Sequence, residues 1–178
     1  MRTAAPIIRH DGEGEHLWFA GGGVFTMKAG AADTGGAFML FEDRVVRGKT
    51  TPLHLHPNED EAIYVLDGEL LVHVAGAEHR VGRHGFFFAP RGVPHAFMVL
   101  SETARILCLQ TPGTGEAFYR SVSDPVSSPD DASRPADMAR LQKAARTSPA
   151  ITVLGPPPFA APPDSTGPSS TPPGKEPL

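Results

Sequence analysis

The chain has 178 residues, of which 40% are hydrophobic and 20% charged, so its length and composition suit one soluble domain with a sizeable core. The formal net charge of -4 indicates neither a nucleic acid nor an acidic membrane as partner, and no apolar run reaches the roughly 20 residues of a membrane helix. A single cysteine excludes an intrachain disulfide. Together with an N-terminus that lacks a signal-peptide-like run, it predicts a cytoplasmic protein.

Short apolar runs separated by turn-forming residues fill the first 120 residues. They include VFTMK, AFMLFE, ELLVHV and ARILCLQ, and their separators include GGG, GAADTGG and AGAE. Many short strands at even spacing favour an all-β sandwich or barrel over an alternating α/β sheet. The pair Asp67 and Gly68 between two such runs predicts a tight hairpin, because Asp-Gly accepts the positive φ angles of a type I′ turn.

One helix is predicted after the strands. Residues 121–133 are rich in Ser, Asp and Pro and resemble a linker. The following segment, 134–146, places Met138, Leu141 and Ala145 at helical spacing, which predicts a helix of about three turns.

The chain is therefore divided into three parts. Residues 1–120 form the predicted barrel domain, and residues 121–154 add the linker, the helix and a short strand at 151–154 that pack on the barrel. Residues 155–178 hold nine of the 19 prolines and few large apolar side chains, so we expect a disordered, proline-rich tail.

Four side chains predict a metal site. His54 and His56 are two residues apart on an extended run, so both imidazoles project from one face of a strand. Glu61 follows after a four-residue loop and begins the next apolar run, and His95 begins a later one. Imidazoles combined with a carboxylate suit a divalent transition metal, such as Fe, Mn, Ni, Co, Cu or Zn.

Simpler interpretations exist for several of these residues. A lone pair of histidines on a strand is more often structural than metal-binding, and Asp60 is an alternative ligand to Glu61. We expect Glu59 and Asp60 to form a solvated acidic turn, residues 86–88 to pack in the core, and Cys108 to be a small buried hydrophobe.

The spacing of these residues resembles the first motif of the cupin superfamily. That motif consists of Gly, five residues, His-x-His, three or four residues, Glu, six residues and Gly. Gly48, His54, His56, Glu61 and Gly68 match every fixed position.

The second cupin motif is matched in part. Pro90, Gly92 and His95 fit it, whereas its opening Gly-Asp is replaced by His84 and Gly85 and its closing Asn by Val99. The resemblance implies a double-stranded β-helix, or jelly-roll, barrel that holds one mononuclear metal ion.

Over residues 13–158 the chain is also similar to small bacterial single-cupin proteins of the quercetinase (flavonol 2,4-dioxygenase) type. The segments that carry this similarity include EGEHLWFAGG, HPNEDEAIYVLDGEL and ITVLGPPP. The resemblance implies a metal-dependent dioxygenase acting on a flavonol or similar enol-bearing aromatic. Glu61 would then be both a metal ligand and the catalytic base that takes the enol proton.

Two other functions are compatible with the same motif. One is a metal-dependent isomerase or cyclase that consumes no oxygen, and the other is a binding protein that turns nothing over. In each case the partner is a small molecule, and the family resemblance implies a homodimer.

Overall fold

The computed structural model describes residues 5–129 and 134–159. Most of the predicted disordered tail, from residue 160 onward, lies outside the described residues, and so do residues 130–133 of the predicted linker. The described chain is mainly antiparallel β-structure in two sheets that face each other, which confirms the predicted all-β jelly-roll barrel.

The larger sheet has seven strands in the order β11-β1-β2-β3-β10-β5-β8 among the described residues. Its strands are β1 (Glu15–Phe19), β2 (Val24–Ala29), β3 (Met39–Val46), β5 (Asp60–Asp67), β8 (Phe86–Ala89), β10 (Thr103–Thr111) and β11 (Ser123–Pro125).

The smaller sheet has five strands in the order β12-β4-β9-β6-β7. Its strands are β4 (Leu53–Leu55), β6 (Glu69–Val74), β7 (Ala77–Gly82), β9 (His95–Val99) and β12 (Thr152–Gly155). The helices are α1 (Ala31–Thr34), a 3-10 turn (Gly113–Gly115), α2 (Glu116–Ser121) and α3 (Met138–Ala145). None of these helices is long and apolar enough to cross a membrane.

The predicted hairpin at Asp67 and Gly68 is wrong. Strand β5 pairs with β10 and β8, whereas β6 pairs with β7 and β9, so the chain crosses from one sheet to the other at this corner. Gly68 has φ 86°, and a Cβ there would lie 2.5 Å from the carbonyl oxygen of Thr103. The glycine therefore serves a tight corner of the barrel.

Strand β10 organises the barrel interior because it pairs with β3 on one side and β5 on the other. Its buried residues alternate along the strand and face the core: Ala104, Ile106, Cys108 and Gln110. The pairing puts Gln110 beside Met39 and Glu61, and it puts Ile106 beside Asp43 and Val65. The inner face thus carries successive rows of side chains.

The predicted helix is present as α3 and packs on a second, smaller core. Asp137 caps it, accepting a hydrogen bond of 3.0 Å from the backbone N–H of Arg140. Leu141 is buried with Trp18, whereas Met138 at the expected apolar spacing is 37% exposed. Helix α3 thus covers the barrel with one narrow apolar face.

We predict that Ile106→Ala lowers the free energy of unfolding by about 2–5 kcal/mol, because the residue is 1% exposed and the cavity left behind adds to the lost burial. Urea unfolding followed by circular dichroism measures the change. The matched variant Leu154→Ala, at a side chain 48% exposed, should shift stability by less than about 1 kcal/mol. Equal losses from both variants would contradict this assignment of the core.

Candidate metal centre

The two sheets bring the predicted ligands to one place. Strands β4 and β9 are neighbours, and their register sets His54 directly opposite His95. His56 follows β4 immediately, and Glu61 lies near the start of β5 in the facing sheet. All four side chains are buried, with exposures of 2–7%.

The three imidazoles converge on a common point. The ring of His54 lies 4.4 Å from that of His95 and 5.2 Å from that of His56, and the latter two are 5.5 Å apart, measured between centroids. One ring nitrogen from each histidine lies within 4.8 Å of the other two. Three buried histidines in this arrangement can bind a metal ion.

Each imidazole has its Nδ1 atom beside a backbone carbonyl oxygen. The distances are 2.8 Å from His54 to Pro52, 2.8 Å from His56 to Ala150 and 2.9 Å from His95 to Val93. A carbonyl only accepts, so the proton of each neutral ring lies on Nδ1 and the Nε2 lone pair remains for a metal.

The carboxylate of Glu61 faces two of these rings. Its oxygens lie 3.3 Å from Nε2 of His56 and 3.4 Å from Nε2 of His95. When both rings carry their protons on Nδ1, acceptors face acceptors at these distances, so a proton or a cation must lie between them. The donor set therefore fits a bound cation.

Without a metal ion, the pKa shifts leave His54 neutral and favour a proton between Glu61 and the rings that face it. Burial, together with the neighbouring His95 and His56, lowers the pKa of His54 to about 3, which keeps that ring neutral. Burial alone would raise the pKa of Glu61. Its contacts with His56 and His95 outweigh burial and hold the pKa well below its usual value. Against burial, the same contact raises the pKa of His56, so in the metal-free site a proton on this ring occupies the place that a cation would take.

Gln110 holds Glu61 and is itself held by Tyr119, and the sequence analysis identified neither residue. Gln110 is fully buried, and its Nε2 atom donates to Oε2 of Glu61 at 2.6 Å and to the hydroxyl of Tyr119 at 2.8 Å. The sequence did carry a signal for Gln110, because it is a polar residue at a position of β10 where the alternation predicts a side chain that faces the core. Tyr119 lies in α2 and carries no such signal.

The neighbouring acidic residues differ from each other. Asp60 binds Arg91, with its oxygens 2.8–3.1 Å from the guanidinium and the backbone N–H, so its carboxylate is directed away from the histidines. Glu59 is only 1% exposed and accepts a hydrogen bond from Thr114, so the expectation of a solvated turn is wrong for this residue.

Two other expectations are tested by burial. Phe87 is 8% exposed and packs in the core, but Phe86 and Phe88 are 59% and 49% exposed, so core packing of all three was wrong. Cys108 is buried, as expected, and burial raises the pKa of its thiol well above the usual value. Neither Phe86 nor Phe88 contributes to the site.

A cavity of about 70 Å³ adjoins His54 inside the barrel. His54 and Glu61 lie on its wall with the aromatic rings of Phe25, Phe41 and Tyr119. A groove of about 740 Å³ lies outside it, and the two share a wall formed by Pro52, Leu141, Ala145, Ile151 and Val153. The segment of α3 and β12 therefore separates the cavity from the groove.

Comparison with known proteins finds one family match and several similar solved structures. Residues 42–110 match the Cupin domain family. An RmlC-like cupin from Shewanella frigidimarina NCIMB 400 superposes with a TM-score of 0.54 at 19% identity, over 65% of this chain and 99% of that one. KdgF from Halomonas sp. superposes with a TM-score of 0.49 at 22% identity, over 54% of this chain and 84% of that one.

The family match over residues 42–110, the two facing sheets and the three buried histidines make this chain similar to small cupins. It also resembles quercetinase. It is 28% identical over 122 residues to quercetin 2,3-dioxygenase of Bacillus subtilis (strain 168). That alignment covers 68% of this chain and 36% of the relative, so the chain spans little more than a third of the relative's length.

We predict that stability depends on pH through Asp43, a buried cavity residue whose pKa is raised to about 6, mainly by burial. The folded state then holds a proton that the unfolded state releases near pH 4, so this carboxyl makes the protein less stable as pH rises from 4 to 6. Asp43→Asn removes the effect. Relative to wild type, the variant should gain about 2–3 kcal/mol of unfolding free energy between pH 4 and pH 7.

Chemical denaturation of both metal-free proteins across this pH range measures the difference, and titration of the histidines cancels between them. A stability difference that stays constant with pH would contradict the prediction.

Proposed function

We propose that His54, His56, His95 and Glu61 bind one divalent transition-metal ion. The support is chemical: three imidazoles place Nδ1 beside a backbone carbonyl oxygen, which leaves Nε2 for a metal ion, and a carboxylate lies opposite two of them. Nitrogen donors with one carboxylate suit Fe, Mn, Ni, Co, Cu and Zn, and availability often selects among these ions.

We further propose that the chain is a dioxygenase that cleaves a flavonol or a similar enol-bearing aromatic with O2. The observation that carries this proposal is the opening of the donor set into a cavity walled by aromatic rings, where His54 and Glu61 are both part of the wall. The similarity to quercetin 2,3-dioxygenase supports the same reaction class.

Glu61 would act as the base. Its carboxylate lies at the cavity wall with a low pKa, so it is ionised at neutral pH and can accept a hydrogen bond from the enol of a bound substrate. Because a low pKa weakens a base, transfer of the enol proton to Glu61 would depend on a bound cation that makes the enol more acidic. Gln110 holds one carboxylate oxygen and thereby fixes the direction in which the other points. When bound, the metal ion supplies a Lewis acid and a template for substrate and O2.

The barrel interior would also protect the reaction. Phe25, Phe41 and Ile63 line the cavity beside the donors, so a substrate that fills the cavity would displace water from them. A dry, apolar wall strengthens each polar contact made by the substrate enolate. Because pockets for drug-sized ligands span about 300–1,000 Å³, a flavonol requires the adjoining groove as well as the cavity.

The small cavity volume favours a second candidate. An enol-bearing substrate smaller than a flavonol would fit within about 70 Å³ more readily, and the same base could isomerise or cyclise it without O2. Oxygen consumption separates the two reactions.

We predict that wild-type protein loaded with Mn, Co or Ni binds about one ion per chain, and that His95→Ala lowers the affinity at least tenfold. The variant loses one of three converging nitrogens. Elemental analysis and calorimetric titration measure this change. The matched variant His79→Ala, at an exposed histidine of β7, should bind like wild type. Equal affinity in all three proteins would refute the assignment of His95.

We predict that the metal-loaded protein consumes flavonol and O2 together, and that Glu61→Gln lowers the rate about 10²–10⁴-fold, the range of a lost general base. Flavonol absorbance and an oxygen electrode follow the reaction, at metal occupancy checked for each protein. Glu69→Gln, at a partly exposed carboxylate of β6, is the matched control and should retain activity. Loss of flavonol no faster than with free metal, for every ion, would overturn the dioxygenase proposal.

A further inference from the structure

Two charged side chains on the wall of the same cavity have no role in the metal centre. Asp43 lies on β3 and Lys49 in the segment that follows, and both line the cavity with His54 and Glu61. A carboxylate and an ammonium in an aromatic-walled cavity carry a large desolvation cost, so their placement requires an explanation.

Strand register places Asp43 away from the metal centre. Asp43 pairs with Ile106, whereas Glu61 pairs with Gln110, four residues further along β10. At about 3.3 Å per residue, the two rows are about 13 Å apart along the strand. The cavity therefore has two polar ends with an apolar stretch between them, where Phe41, Ile63 and Cys108 lie.

One carboxylate oxygen of Asp43 lacks the partner that a buried oxygen normally has. Asp43 is 7% exposed, and its Oδ1 atom accepts no hydrogen bond from any residue within 5–129 or 134–159. Buried polar atoms are nearly always hydrogen-bonded, so an unpartnered acceptor on a cavity wall indicates a partner that enters the cavity.

Lys49 offers donors beside it. Its ammonium donates to the backbone carbonyl of Gly22 and lies 5.3 Å from the ring centroid of Phe19. An ammonium has three N–H donors, and among the described residues only this one hydrogen bond occupies them.

The simplest structural explanation is an ion pair that stabilises the fold. Asp43 and Lys49 are not within 4.0 Å of each other, and the described residues provide no other cation for that carboxylate. A group that both donates and accepts a hydrogen bond therefore fits between the carboxylate of Asp43 and the ammonium of Lys49. A hydroxyl meets this requirement, because it donates one proton and accepts at its oxygen.

We propose that Asp43 and Lys49 form a second subsite, which binds a hydroxyl on one ring of a phenolic substrate while the enol of that substrate faces Glu61. The proposal rests on the proposed function, and it adds the substrate class. The substrate is an aromatic enol that carries a further hydroxyl on the ring lying at the Asp43 end of the cavity. The rest of the molecule extends towards the groove beside Leu141 and Ile151.

The test compares two flavonols that differ in ring hydroxyls. Quercetin carries hydroxyls on both outer rings, and 3-hydroxyflavone carries only the enol. Binding to the metal-loaded protein is measured by calorimetry without oxygen, so that no turnover interferes. Wild type should bind quercetin more tightly. Asp43→Asn and Lys49→Met should each weaken quercetin binding about 10–100-fold, as expected for a lost hydrogen bond to a charged group, and change 3-hydroxyflavone binding less than about twofold.

Controls separate binding from folding. Asp67→Asn, at an exposed carboxylate at the end of β5, should bind both flavonols like wild type. Metal content and the melting temperature are measured for each variant, and Lys49→Arg should recover part of the quercetin affinity because it keeps the charge and donors.

The outcomes distinguish this proposal from the proposed function. Equal effects of the variants on both flavonols, or no effect on either, would overturn the subsite and leave the dioxygenase proposal standing. Selective binding without any turnover would support the subsite and overturn the dioxygenase. Failure of wild type to bind either flavonol would overturn both.

Discussion

Burial of three imidazoles and a carboxylate inside an apolar barrel is the constraint on which the site depends. In each imidazole, the Nδ1 atom lies 2.8–2.9 Å from a backbone carbonyl oxygen. This contact favours one neutral tautomer for the rings of His54, His56 and His95. The Nε2 atoms of His56 and His95 then face the carboxylate of Glu61, so that lone pairs face lone pairs. In a low-dielectric interior such an arrangement is stable only with a proton or a cation at its centre.

The same constraint makes the C-terminal segment part of the site. The carbonyl that holds His56 belongs to Ala150, 94 residues further along the chain. The adjacent Ile151 and Leu141 of α3 separate the cavity from the outer groove. A change that loosens α3 would therefore act on the orientation of a histidine as well as on access to the cavity. The predicted division into a barrel and a packed C-terminal segment remains a prediction, but the contacts show that these parts share one site.

The sequence predicted the parts of the site that depend on local geometry. His54 and His56 share a face because strands alternate, and Glu61 is near them because a short loop returns the chain. Gln110 escaped prediction because its role depends on the pairing of β10 with β5, which joins residues 49 apart. The hairpin prediction at Gly68 failed for a related reason, since a turn signal fixes the corner but not which strands pair beyond it.

The charges of Glu61 at one end of the cavity and of Asp43 and Lys49 at the other act on the same bound molecule. With Asp43 ionised, the carboxylates of Glu61 and Asp43 outnumber the single ammonium of Lys49, so the cavity wall is net negative and repels an enolate. Binding of a divalent cation by the histidines would reverse the sign and favour that enolate. Because burial raises the pKa of Asp43, protonation of this carboxyl would shift the balance in the same direction. Asp43 and Lys49 would thus act on a metal centre through the field they create across an apolar gap, without a direct contact.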